Sequence, residues 1–109
     1  MAITVTPTLA KASDGTTLSW TISFTSPHSS NKSWTVTGPN KYNLTGNANS
    51  TSQRTESGVP GDVHVWTLTA SALNSSLGDT ETVTQTIAGS VRGSGVYIYT
   101  GSAWVPLNF

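Results

Sequence analysis

The chain contains no cysteine. Disulfides, thiolate metal centres and thiol nucleophiles are therefore excluded, and a domain built from it must hold together by packing alone. Charge is scarce as well. Five basic and five acidic side chains make up 9% of the 109 residues and leave a formal net charge of zero, where a typical domain carries about a quarter charged residues. No field draws such a chain to nucleic acid or to an anionic membrane, so neither is expected as a partner. No apolar run approaches the length of a membrane span. No segment has the 3.6-residue apolar period of an amphipathic helix, which argues against an α-helical fold. Met1-Ala2 leads straight into a strand-like run with no basic and then apolar segment, so a cytoplasmic site of synthesis and assembly is expected.

What the chain has in quantity is hydroxyl. Its 19 Thr and 16 Ser are about a third of the sequence. They alternate with apolar residues at period two, the pattern of half-buried strands. Ile3, Val5 and Leu9 alternate with Thr4, Thr6 and Thr8, and Pro7 marks that run as an edge strand. Leu18, Trp20, Ile22 and Phe24 alternate with Ser19, Thr21, Ser23 and Thr25. A loop is expected from Ser26 to Lys32. Trp34 and Val36 follow, and Tyr42 with Leu44 forms a short strand after Gly38-Pro39-Asn40. Residues 45–52 read as polar turn and residues 55–59 as a weak strand. In the next strand Val63 and Val65 face one way, and His64, Trp66, Leu68 and Ala70 the other. A hairpin loop at residues 74–79 precedes a last body strand over residues 82–87. Residues 89–95 are Gly/Ser-rich and read as a hinge. Beyond it, Val96-Tyr97-Ile98-Tyr99 and Trp104-Val105 flank the turn Thr100-Gly101-Ser102, an aromatic hairpin.

About seven short strands separated by turns predict an all-β sandwich over residues 1–88, with the C-terminal hairpin over residues 96–109. Leu18-Ser19-Trp20 resembles the L-x-W of the second strand in fibronectin type III and related immunoglobulin-like domains. Pro60-Gly61-Asp62-Val63-His64-Val65-Trp66-Thr67-Leu68 resembles the stretch that leads into their sixth strand, and the two likenesses together imply an immunoglobulin-like β-sandwich. His64 stands where that family has its corner tyrosine, which departs from the pattern. The segment Val96–Val105 resembles the VYxYTGxAWV element that ends many structural proteins of tailed bacteriophages, especially those of actinobacteria.

Catalytic chemistry is hard to assemble from this sequence. The two histidines, His28 in a polar loop and His64 in a strand, have no short-range ligand spacing, and no metal or other cofactor is expected. Four of the five acids sit in or beside turns, where carboxylates normally accept backbone N–H bonds. No nucleophile elbow, phosphate loop or dinucleotide fingerprint is present. Asn31, Asn43, Asn49 and Asn74 open N-glycosylation sequons, which a chain this rich in Asn, Ser and Thr produces by chance. Trp20, Trp34 and Trp66 share their alternation with core positions; two of them pointing outward together would instead make a sugar-binding platform.

These observations lead to the expectation of a non-enzymatic virion structural protein of a tailed phage, most simply a capsid decoration protein. It would be a symmetric homo-oligomer contacting capsid or tail subunits. Tyr97, Tyr99, Trp104 and Val105 are its expected interface residues, because aromatic side chains are enriched at the centres of interfaces. The alternative is a tail-associated or adhesin-type module binding carbohydrate or a cell surface.

Overall fold

The computed structural model describes residues 2–12, 15–59, 62–91, 96–99 and 104–107. Seven strands form its body: β1 (Ile3–Ala12), β2 (Gly15–Phe24), β3 (His28–Gly38), β4 (Tyr42–Gly46), β5 (Ser50–Ser57), β6 (Val63–Asn74) and β7 (Asp79–Ser90). They make a three-stranded sheet of order β1-β2-β5 and a four-stranded sheet of order β4-β3-β6-β7, antiparallel throughout. The fold is the expected all-β sandwich of about seven strands in two sheets. A separate two-stranded ribbon follows, β8 (Val96–Tyr99) with β9 (Trp104–Leu107).

Period-two alternation decides the faces. On β6, His64, Trp66, Leu68, Ala70, Ala72 and Asn74 are buried, whereas Val63 and Val65 are exposed. The inward positions of both sheets meet in one apolar cluster that includes Leu18, Trp20, Ile22, Trp34, Val36, Trp66 and Leu68. The outward positions are hydroxyl rows running across the strands. On the larger sheet Thr45, Thr35, Thr69 and Thr84 stand in register, as do Asn43, Thr37, Thr67 and Thr86. Thr6, Thr21 and Thr51 do the same on the smaller sheet. Cross-strand hydroxyl bonds link Ser71 to Thr82 and Thr17 to Thr55, each at 2.8 Å. Thr is tolerated there because its branched Cβ suits the pleat and its hydroxyl stays solvated.

Three segments differ from the sequence expectation. The stretch expected as a loop from Ser26 to Lys32 largely belongs to β3, which starts at His28; register shifts between His28, Ser30 and Ser33 hide the alternation. The stretch expected as turn at residues 45–52 is split, because β5 begins at Ser50 and pairs with β2. Its sequence STSQRTES carries no apolar residue, so pairing comes from the neighbouring strand and not from its own pattern. Finally, β7 continues through Gly89 and Ser90, which pair with His64 and Val63, and the Val91 N–H donates to the Asp62 carbonyl at 2.8 Å. Residues 92–95 of the expected hinge lie outside the described residues.

Sheet edges invite unwanted pairing, and here each is blunted. Pro7 sits on the edge strand β1 opposite Trp20. Edge strand β5 turns Arg54 and Glu56 toward the inward positions held on β2 by Leu18 and Thr16. Strand β4 is only five residues long. Strand β8 runs within 8 Å, Cα to Cα, of both β7 and β1.

Two glycines seat the tryptophans. A Cβ on Gly38 would stand 2.3 Å from the Trp66 ring, and one on Gly46 would stand 2.4 Å from the Trp34 ring. Gly38→Ala is expected to destabilise by about 1–3 kcal/mol through overpacking. Trp20→Ala is expected to cost about 3–5 kcal/mol through the cavity it leaves. Urea titration of both variants checks this; a loss below about 1 kcal/mol for Trp20→Ala would place that ring outside the core.

Candidate functional site

Four places combine chemistry with shape. The first is the ribbon. Its register pairs Val96 with Leu107, Tyr97 with Pro106, Ile98 with Val105 and Tyr99 with Trp104. Directly opposed residues share a face of an antiparallel ribbon. Tyr97, Tyr99, Trp104 and Pro106 therefore occupy one set of register positions, and Val105 falls in the other, with Val96, Ile98 and Leu107. Of the four expected interface residues, three share a face and Val105 does not; their side chains lie outside the described part of the structure.

The second is a polar cluster at the end of the sandwich formed by the β2–β3 and β6–β7 turns. His28 was expected to be a solvated loop residue. Instead it is buried, because it opens β3 opposite Asn74. Its Nε2–H donates to Glu81 Oε2 at 2.5 Å, and Asn74 Nδ2 donates to Glu81 Oε1 at 3.3 Å. Asn74 Oδ1 in turn accepts the N–H groups of Ser76 and Leu77 at 2.9 and 3.1 Å, which shapes the turn into β7. These partners are 46 and 53 residues from His28 in the chain, so no local spacing announces them. The hydrogen bond from His28, reinforced by Asn74, holds the Glu81 carboxyl below its ordinary value; the attraction of the His28 charge adds to this, and partial desolvation opposes it. His28 Nδ1 is buried without a hydrogen-bond partner. With Nε2 bound to Glu81, neither ring nitrogen is presented to a substrate. A concavity of about 290 Å³ beside the cluster is lined by Ala2, Ile3, His28, Glu81, Thr82 and Val83.

The third lies at the opposite end. His64, expected as a structural strand residue, is buried with its Nδ1 2.7 Å from the Thr16 hydroxyl. Its partner is thus a side chain on the facing sheet, where the corner tyrosine of the resembled family would bond backbone. Glu56 is buried on β5, opposite Thr16. Its Oε1 accepts from Asn40 Nδ2 at 2.6 Å, and Arg54 approaches Oε2 at 3.5 Å while lying 4.7 Å from the Tyr42 ring centre. Asn40 sits in the left-handed region at φ 56°, a conformation that Asn adopts more readily than most residues.

The fourth is a trough of about 350 Å³ on the outer face of β1-β2-β5, lined chiefly by Thr6, Thr8, Ser19, Thr21, Thr51 and Gln53. Its lining is mostly hydroxyl and amide, with Trp20, itself 2% exposed, also contributing. Trp20, Trp34 and Trp66 are 2%, 7% and 0% exposed, so none of the three forms an outward aromatic platform.

Among the described residues no group of three or more His, Asp or Glu is placed to hold a metal ion. Two of the four sequon asparagines are committed to the fold: Asn74 as above, and Asn49, whose Oδ1 accepts the Phe24 N–H at 2.9 Å. No family model matches the chain, and neither a curated protein nor a solved structure matches it.

A lowered carboxyl value means that ionised Glu81 contributes stability above its ordinary value of 4.5, and that this is lost as the pH falls through the lowered value. Wild-type protein is therefore expected to lose melting temperature more steeply on acidification below about pH 4.5 than Glu81→Gln, which keeps the side-chain length but cannot ionise. Thermal melts of the two proteins from neutral pH to pH 3 measure the difference; parallel curves would remove the His28–Glu81 pair from the stability of this end.

Proposed function

We propose that the chain is a non-enzymatic virion structural protein of a tailed bacteriophage, acting as a capsid decoration protein. The observation that carries this reading is the ribbon β8–β9, a sheet of its own whose two strands bear VYIY and WVPL. An isolated hairpin is marginal in water, so these residues need a covering surface. The blunted edges of the body point the same way. With β1, β4 and β5 each protected against pairing, attachment falls to the ribbon and the outer faces. The likeness of the ribbon to the terminal element of phage structural proteins supplies the virion context.

A second reading is a tail-associated or adhesin-type module that binds carbohydrate or a cell surface. The hydroxyl- and amide-lined trough on β1-β2-β5 favours it. The inward placement of Trp20, Trp34 and Trp66 takes away the aromatic platform that sugar recognition commonly uses. Binding of purified protein to phage capsids and to host cell wall, side by side, separates the two readings.

Truncation after Val91 keeps every pairing of β7 with β6 intact. The truncated chain is expected to melt cooperatively yet fail to join particles. Trp104→Ala in the full chain is expected to weaken incorporation by about 2 kcal/mol if that ring is an interface anchor. Circular dichroism together with a particle-binding assay tests both; a truncated chain that cannot fold would assign the ribbon to the sandwich and defeat the attachment reading.

A further inference from the structure

The inward side of β7 is closed at one end of the strand and open at the other. Ile87 and Glu81 stand opposite Trp66 and Ala72, both fully buried on β6, so the register of both is inward. Ile87 is 2% exposed, whereas the Glu81 side chain is 41% exposed. Val83, between them and opposite Ala70, is half-buried. The opening is the concavity of about 290 Å³ where β7 runs beside the start of β1, lined by Ala2, Ile3, His28, Glu81, Thr82 and Val83. That volume lies at the lower edge of the roughly 300–1,000 Å³ of small-molecule sites, which suits a single side chain. The surroundings are fixed. The Ala2 carbonyl accepts the Thr25 N–H at 2.8 Å and the Thr25 hydroxyl at 3.2 Å. The Pro27 carbonyl accepts the Ser75 N–H at 3.1 Å and the Ser75 hydroxyl at 3.2 Å, which joins the two turns at this end. Glu81 itself is held through Oε2 by His28 and through Oε1 by Asn74. These bonds keep its carboxyl below the ordinary value, so it is ionised at neutral pH.

We propose that this concavity is a binding site for a lysine side chain of a partner protein, with the ammonium on Glu81 and the methylene stem beside Ala2 and Val83. Charge complementarity selects the occupant. Glu81 is the only acid among the lining residues, and none of them is Lys or Arg. An ionised carboxylate has about four acceptor positions, and His28 and Asn74 take one each, so acceptor capacity remains for a donor from outside. The aliphatic lining fits a side chain that lays an apolar stem on the protein and keeps its charge at the tip. Arginine fits less well. Its planar fork engages both carboxylate oxygens at once, and here each oxygen already holds a protein donor. An ammonium is a compact point charge that needs one free acceptor position. Because the carboxylate is ordered before any partner arrives, binding does not have to order it. A half-exposed ion pair is weak by itself, so the site serves as one contact within a wider interface. It lies on the sandwich body and does not rest on the virion reading.

The test uses the full-length chain at neutral pH and follows backbone amide signals by NMR during titration with a capped lysine, Nα-acetyl-lysine N-methylamide. Saturable shifts are expected at Ala2 and over residues 81–83, with a dissociation constant on the order of millimolar. The same compound acetylated on Nε has lost its charge and is expected to give no saturable shift. The capped arginine is expected to bind more weakly than the capped lysine. Glu81→Gln is expected to weaken binding of the capped lysine by about fivefold or more. Thr82→Lys changes an exposed position, leaves Glu81 in place and brings an ammonium to the concavity from within the chain; it is expected to weaken binding to a similar degree. Thermal melts establish that each variant is folded at the temperature of the titration. Absence of a saturable shift with capped lysine, equal binding of the Nε-acetylated compound, tighter binding of the capped arginine, or binding undiminished in both variants overturns the proposal.

Discussion

Two sheets without a covalent tie are held together by tryptophan. Trp20 on β2 and Trp34 on β3 belong to opposite sheets, and their rings meet 6.4 Å apart at 54°. Trp66 on β6 meets Tyr42 on β4 edge-on at 5.7 Å. Tilted and edge-to-face contacts of this kind add to the area each ring buries. Many immunoglobulin domains place a disulfide between the sheets beside a buried tryptophan; with no cysteine, this chain puts three tryptophans into the cluster. Gly38 and Gly46 are bare because the Trp66 and Trp34 rings lie on them. Trp34 also donates its Nε1–H to the Ala48 carbonyl at 2.9 Å, which ties the turn before β5 to the core.

Among the described residues, the buried ionisable and amide side chains gather at the two ends of the sandwich. At one end His28, Asn74 and Glu81 fasten β3, β6 and β7. At the other, Thr16–His64 bridges the two sheets, and Asn40–Glu56 ties the turn after β3 to β5. Buried polar side chains of this kind are stable only when their partners are present, which makes these contacts specific to one arrangement of the turns. The faces between the ends are left to Thr and Ser. A neutral hydroxyl surface is well solvated, exerts no long-range field and repels no copy of itself.

That distribution separates fold from function. Sandwiches host many unrelated roles, so architecture alone does not select one. The features that bear on a role lie outside the core: the apolar ribbon, the charge-free faces and the protected edges. They are what the proposed virion role draws on.

Alternation in the sequence determined the class of fold, the inward set on β2 and β6, and the paired ribbon, because period two maps directly onto the two sides of a strand. It also determined that Trp20, Trp34 and Trp66 would share one core. Tertiary structure alone decided the rest. Strand β5 has no apolar residue and is a strand only because β2 offers it a ladder. The start of β3 is masked by its register shifts. His28 reads as a loop residue until β6 and β7 bring Asn74 and Glu81 to it from 46 and 53 positions away. A side chain's own pattern reports which way it faces; who meets it there is set by the crossing of strands distant in sequence, which no local pattern records.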